Sequence, residues 1–246
     1  MNSHLRTKLS AVILDMDGLM LETESVYKLA WQNAATELGF DLDDDYYLTL
    51  VGQTNPACEA ALLNRFGDHF PMKDFRDRWS SSWRKIVETS GIPTKPGLIE
   101  LLSFLRERQI PTAVATSSDR DYTSLSLRAA KLESWFDNLV TGDQVVNGKP
   151  APDIYIEAAR RLGVEAVNCV ALEDSDAGVL SASAAGMLTV MVPDLKPPSP
   201  EARDAAFCVV TSLVDAKNVI ASLSDDFEAS FRVYRQVAPD GATSEN

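Results

Sequence analysis

Four short polar clusters in the chain carry residue types able to do chemistry. They are Asp15-Met16-Asp17-Gly18, Thr116-Ser117-Ser118, Gly148-Lys149-Pro150 and Glu173-Asp174-Ser175. Together they supply four carboxylates, a run of hydroxyls and one lysine. Carboxylates brought to one place repel each other unless a cation joins them. A hard divalent ion bound through oxygen, Mg²⁺ above all, resolves that repulsion. Taken singly, each cluster also has a plain structural reading. Asp-x-Asp-Gly suits a turn, Thr-Ser-Ser-Asp and Glu-Asp-Ser suit helix N-caps, and a lysine before proline suits a solvated loop.

The elements that must position these clusters decide between the readings. Ala11 to Leu14 is a short apolar run that stops at Asp15. Ile110 to Ala115, Asn138 to Val140, Cys169 to Leu172, Leu188 to Val192 and Phe207 to Val210 read as further strands. Between them lie helical patterns: Leu98, Leu101, Leu102 and Leu105, then residues 121–131, then Tyr155, Ala158, Ala159 and Leu162, then Ala177 to Ala185 closed by Gly186. Short apolar strands alternating with helices predict a parallel sheet covered on both faces. In such sheets ligands bind at the carboxyl ends of the strands. The aspartates, the hydroxyls and the Glu-Asp pair follow predicted strands directly, and Lys149 lies in a loop at the same edge. The coincidence favours a site over four unrelated caps and turns.

Residues 24–92 read differently. Val26, Leu29, Ala30 and Ala34, then Trp79, Trp83, Ile86 and Val87, keep helical spacing, and no strand pattern intervenes before Gly91-Ile92-Pro93. The expected architecture is an α/β, Rossmann-like core of residues 1–20 and 93–246, interrupted after its first strand by an all-helical cap of residues 21–92. Two chain crossings join the units, as a hinged lid requires. The tail after Val210 has helix-like sequence without an assigned role, and Ala238 to Asn246 is expected to fray.

Composition removes other classes. The chain has 246 residues, 45% hydrophobic, enough for a substantial core. Its 23 basic against 36 acidic residues give a net charge of −13, which disfavours nucleic acid and anionic membranes as partners. With two histidines, His4 and His69, it lacks the parts for a His-rich zinc site, a Ser-His-Asp triad or a His nucleophile. Cys58, Cys169 and Cys208 are scattered and odd in number, as reduced thiols would be. The run after the N-terminal basic residues is too short for a signal peptide or a membrane span. A cytoplasmic protein, monomeric by default, is the expectation.

Asp15-Met16-Asp17-Gly18, Ala115-Thr116-Ser117-Ser118, Gly148-Lys149-Pro150-Ala151-Pro152-Asp153 and Glu173-Asp174-Ser175-x-x-Gly178 occur in this order and spacing over residues 10–193. In these features the chain resembles the haloacid dehalogenase-like (HAD) hydrolase superfamily, in the branch of β-phosphoglucomutase and small-molecule phosphatases. The resemblance implies a Mg²⁺-dependent phosphatase acting on a small phosphorylated metabolite. It implies that Asp15 is the nucleophile, forming an aspartyl phosphate, and that Asp17 is general acid and then base. Thr116 and the backbone near Ser117 and Ser118 would hold phosphoryl oxygens, and Lys149 would neutralise them. Asp15, the main-chain carbonyl of Asp17 and Asp174 would hold the metal, with Glu173 acting directly or through water. Gly18 would let the backbone approach the phosphate closely. The insert corresponds to the family's helical cap, where Glu24, Gln53 and Asn55 are candidate substrate contacts. Gln53 and Thr54 could instead only cap the helix after Pro56, and Trp79 and Trp83 read as cap core.

The runner-up is a phosphomutase of the same branch. The mutases carry a lysine just before the cap-loop glycine, an arginine three residues after it and a histidine on the first cap helix. Val51, Asn55 and Tyr27 stand at those places here. A dehalogenase would not need Asp17. A non-catalytic phospho-accepting receiver also uses an Asp, a Thr or Ser, a Lys and Mg²⁺, but its aspartate follows a middle strand and no helical cap interrupts it.

Overall fold

The computed structural model describes residues 8–51 and 55–225, the side chains of Asn55, Pro56 and Asp225 excepted. The chain opens with β1 (Ala11–Leu14), followed by α1 (Thr23–Glu37), α2 (Asp44–Leu50), α3 (Asn55–Phe66) and α4 (Met72–Ser90). Then come α5 (Leu98–Glu107), β2 (Thr112–Ala115), α6 (Arg120–Ala129), β3 (Asn138–Val140) and α7 (Asp153–Leu162). The chain continues through β4 (Cys169–Glu173), α8 (Asp176–Ala184), β5 (Leu188–Met191), α9 (Pro200–Ala205), β6 (Cys208–Val209) and α10 (Leu213–Asp225).

The six strands form one sheet in the order β3-β2-β1-β4-β5-β6, and every pairing is parallel. Side chains on a strand alternate between faces, and the apolar clusters follow that alternation. Val12, Leu14, Val114, Val170 and Leu172 face one layer, built largely from α5 and α10. Ala11, Ile13, Ala113, Cys169 and Ala171 face the other, which includes Ile154, Tyr155, Ala158 and Ala159 of α7 and Ala182 of α8. Helices thus cover both faces of a doubly wound α/β sheet, as the alternation of strands and helices predicts.

Four strands differ from expectation at their ends. β5 stops at Met191 rather than Val192, and β6 spans Cys208–Val209 rather than Phe207 to Val210. β2 begins at Thr112 rather than Ile110, because the Ile110 amide bonds back to the Leu105 carbonyl and Pro111 has no amide to give. β4 runs one residue further than Leu172, to Glu173. The tail after Val210 also gains a role. In α10, Leu213, Ala216, Val219, Ile220 and Leu223 join the main apolar cluster beside α5, and Lys217 pairs with Glu100. The expected fraying at Ala238 to Asn246 lies outside the described residues.

Among the described residues, the segment between β1 and α5 holds helices and no named strand. Trp31, Tyr47, Leu50, Leu62, Phe70 and Phe75 form an apolar cluster within it. Val26, Ala30, Trp83 and Val87 instead share the main cluster with the sheet. The two crossings run side by side: the Glu22 amide donates to Pro93 (2.9 Å) and the Lys95 amide to Met20 (2.8 Å). Lys95 Nζ pairs with Glu22 (3.0 Å) and with Asp194 (2.5 Å) after β5. No described helix is long and apolar enough to cross a membrane.

Candidate active site

The strand order reverses at β1, with β2 on one side and β4 on the other. The carboxyl ends of these three neighbours bring the predicted clusters together. Asp15 leaves β1 with its amide bonded to Leu172 (3.0 Å), and it is 7% exposed. Thr116 leaves β2 with its amide on Val140 (3.1 Å). Glu173 ends β4 and is fully buried.

Lys149 reaches across this edge from the loop before α7. Its Nζ donates to Asp15 Oδ1 (2.5 Å), Glu173 Oε1 (2.5 Å) and the Ala115 carbonyl (3.0 Å). All three of its donors therefore have partners. Burial opposes its charge, but Asp15 and Glu173 outweigh that and hold the ammonium above its ordinary range. Glu173 is saturated as well. Its Oε1 also accepts from Tyr155 Oη (2.7 Å), and its Oε2 accepts from the amides of Asp174 (3.1 Å) and Ser175 (3.3 Å) and from Ser175 Oγ (3.1 Å).

Asp17 sits apart from this knot. Its Oδ2 accepts from Ser118 Oγ (2.9 Å) and Thr116 Oγ1 (3.3 Å), and its Oδ1 from Tyr122 Oη (2.8 Å). Burial raises its pKa, while the hydroxyls of Tyr122, Ser118, Thr23 and Thr116 pull it down. The two aspartates of one short loop thus have separate partners: an ammonium for Asp15, hydroxyls for Asp17. Gly18 makes the loop possible. Its φ is +84°, and a Cβ there would stand 2.3 Å from Asp174 Oδ2.

Asp15, Glu173 and Asp174 each offer an oxygen within 4.8 Å of the others. Burial pushes the carboxyls of Asp15 and Asp174 well above the ordinary range; repulsion from Glu173 and Asp17 adds to it at Asp15, and repulsion from Asp15 and Glu173 adds to it at Asp174. Lys149 opposes this at both and does not cancel it. A cluster of hard oxygens with surplus negative charge fits a small divalent cation.

These groups line one side of a cavity of about 550 Å³ that includes Ser117 and Ser118. The far wall comes from α1 to α4: Glu24, Tyr27, Trp31, Tyr47, Cys58 and Trp79, with Val51 beyond α2. Trp79, expected only as packing, therefore also reaches the cavity, whereas Trp83 is buried in the main cluster. Glu24 accepts from Tyr47 Oη (2.7 Å), and burial raises its pKa. Gln53 lies outside the described residues, as does the side chain of Asn55. Tyr122, Tyr155 and Tyr47 were not legible as site residues. Tyr155 carries the periodicity of a core position, which it also fills; its hydroxyl at Glu173 leaves no trace in that pattern.

The family model for haloacid dehalogenase-like hydrolases matches residues 12–192. The phosphorylated carbohydrates phosphatase of Thermotoga maritima is 34% identical over 179 residues, 73% of this chain and 82% of that protein. The (DL)-glycerol-3-phosphatase 2 of Arabidopsis thaliana is 33% identical over 222 residues, 86% of this chain and 90% of that one. A crystal structure of a candidate β-phosphoglucomutase from Thermotoga maritima superposes with a TM-score of 0.78 at 30% identity, covering 87% of this chain and 99% of that one. With two thirds or more of its length matched in each comparison, the chain belongs to the haloacid dehalogenase-like hydrolase family, among its phosphatases.

Proposed function

We propose that the protein is a Mg²⁺-dependent phosphatase that hydrolyses a small phosphorylated metabolite, such as a sugar phosphate, through an aspartyl phosphate on Asp15. The observation that carries this reading is the separation of the two aspartates. Asp15 faces Lys149 and can attack phosphorus, because its partner is a cation that a phosphoryl oxygen can share. Asp17 is held by neutral hydroxyls under burial that favours its protonated form, as an acid needs. In the first half-reaction Asp15 bonds to phosphorus as the ester bond breaks, and the Asp17 proton goes to the leaving oxygen. In the second, water gives its proton to Asp17 as it displaces Asp15 from phosphorus.

Asp15, Asp174 and the main-chain carbonyl of Asp17 would hold Mg²⁺. When bound, the ion screens the negative charge between these carboxylates and an approaching phosphate dianion. Glu173 suits the role of a strut for Lys149 better than that of a ligand, since both its oxygens are already engaged. Thr116, Ser117 and Lys149 would meet the phosphoryl oxygens, with Gly18 allowing the loop to lie close. Residues 21–92 would act as a cap hinged at the paired crossings, with Glu24, Gln53 and Asn55 toward the organic part of the substrate. A panel of metabolite phosphates with Mg²⁺, scored by released inorganic phosphate, tests the reading. Absence of turnover on the panel and on p-nitrophenyl phosphate would overturn it.

A further inference from the structure

Tyr122 touches both the site and the inserted helices. Its hydroxyl donates to Asp17 Oδ1 at 2.8 Å. Its ring stacks on Trp83 of α4 (centroids 4.6 Å, interplanar angle 27°) and on Tyr27 of α1 (5.9 Å, 19°). Its backbone is fixed as well. Asp119, the N-cap of α6, accepts from the Tyr122 amide at 2.9 Å. Ser118 and Thr116 donate to the other oxygen of Asp17, so Tyr122 and this pair hold the carboxyl from opposite sides.

We infer that Tyr122 is a positioning residue for Asp17, and that its ring stack ties the aim of that carboxyl to the placement of α1 and α4. The inference rests on the reading of Asp17 as acid and base. A carboxyl group turns about its terminal bond with little resistance, and proton transfer requires hydrogen-bond reach of the leaving oxygen. Tyr122 and the pair Ser118 and Thr116 hold opposite oxygens, which fixes the plane of the group. Tyr122 acts as a donor, its hydroxyl lying 2.8 Å from Asp17 Oδ1. Because its ring lies against Trp83 and Tyr27, a shift of those helices moves the hydroxyl. The acid is then fully aimed only with the helices in place over the substrate.

The test uses leaving-group dependence. In the first half-reaction the Asp15 oxygen bonds to phosphorus, the ester P–O bond breaks, and the Asp17 proton goes to the departing oxygen. An alkoxide needs that proton, whereas p-nitrophenolate leaves without it. Since kcat/KM covers only the steps through formation of the aspartyl phosphate, slow hydrolysis of the intermediate does not obscure the comparison. The ratio of kcat/KM for the best alkyl phosphate of the panel to that for p-nitrophenyl phosphate should fall on the order of 100-fold or more in Asp17→Asn, in line with the contribution of acid catalysis. Tyr122→Phe keeps the ring and removes the hydroxyl; it should lower the same ratio by about tenfold, with the change in kcat rather than KM. Trp83→Leu removes the neighbouring ring without touching Asp17 and should move the ratio in the same direction. A ratio unchanged in Tyr122→Phe while Asp17→Asn lowers it would overturn the positioning role. A ratio unchanged in Asp17→Asn would instead overturn the acid assignment, and this inference with it. A response in Tyr122→Phe with none in Trp83→Leu would overturn the link to the helices.

Discussion

Gly178 and Glu173 occupy the same space: a Cβ on Gly178 would stand 1.9 Å from the Glu173 carboxyl carbon. Gly178 lies in the first turn of α8, where its amide is capped by Ser175. Its missing side chain is what lets the Glu173 carboxyl lie under the helix and brace Lys149. Gly178→Ala must therefore shift α8 or turn Glu173 away from Lys149, Tyr155 and Ser175. Breaking one partner from a buried ion pair costs about 3–5 kcal/mol. The expected outcome is a thermal midpoint lowered by several degrees and kcat lowered at least about 100-fold. Near-wild-type values of both would show that Glu173 does not depend on that space.

Asp15→Asn should reduce kcat by about 10⁴-fold or more, the scale of losing a nucleophile that acts within a unit. The wild type should form a beryllium fluoride complex on Asp15, and the variant should not. More than about a tenth of wild-type activity in the variant, a barrier change under about 1.4 kcal/mol, would mean that Asp15 is not the nucleophile.

Much of this site was readable before the structure, and the reason is local. Asp15, Thr116 and Glu173 each end a short apolar run, and a parallel sheet gathers such ends at one edge whatever the detailed packing. The hydrogen bonds that give these residues different characters are not local. Lys149 and Asp15 are 134 positions apart, and Tyr122 and Asp17 are 105. Periodicity reports which face a residue takes, not what its tip meets across the fold, so Tyr122 and Tyr155 passed as ordinary helix positions. The saturation of Glu173 was hidden for the same reason. α9 does carry a local signal in Ser199-Pro200, an N-cap followed by proline in the first turn.

Metal removal gives a third prediction. EDTA should abolish activity and Mg²⁺ should restore it. In the absence of substrate, Mg²⁺ should also raise the thermal midpoint of the wild type, because an ion that binds the folded state stabilises it by mass action. The rise should shrink in Asp174→Asn, which removes one oxygen charge from the cluster of Asp15, Glu173 and Asp174. Full activity in metal-free buffer, or an equal rise in both proteins, would remove Asp174 from the metal site.

The two sides of the cavity should respond differently to substitution. On the proposed reading Lys149 meets the phosphoryl group that all substrates share, so Lys149→Ala should damage every substrate alike. On the same reading, Glu24→Gln, Gln53→Ala and Asn55→Ala should change kcat/KM unevenly, because residues 21–92 would meet the part that varies. Glu24 is the one charged group among the described residues lining that side, and it is an acid. Substrates whose organic part carries a further negative charge, such as phosphoglycolate, should accordingly be poorer than polyol or sugar monophosphates, and Glu24→Gln should narrow the gap. Equal losses for all substrates in the cap variants would count against this division.

Phosphatase and mutase part company over a second phosphate. A mutase must hold a distal phosphate while the first is transferred, and each such phosphate calls for fixed cations worth about 1.5–3 kcal/mol apiece as charge-assisted hydrogen bonds. Lys149 is the one cation among the described residues lining the cavity, and Asp15 and Glu173 already hold it. Val51 lines the far wall, and the sequence from Val51 to Asn55 contains no Lys, Arg or His. The Lys196 charge reaches Glu24, but Lys196 is exposed and outside the lining. With no cation among the described residues of the far wall, a bisphosphate intermediate would lack a grip after turning, and the proposed aspartyl phosphate should pass to water. Incubation with β-glucose 1-phosphate and a bisphosphate primer should release inorganic phosphate and form no glucose 6-phosphate above background. Introducing charge at the vacant places, as Val51→Lys with Asn55→Arg, should raise affinity for a bisphosphate. Robust glucose 6-phosphate formation by the wild type, with phosphate release at background, would assign the protein to the mutases instead.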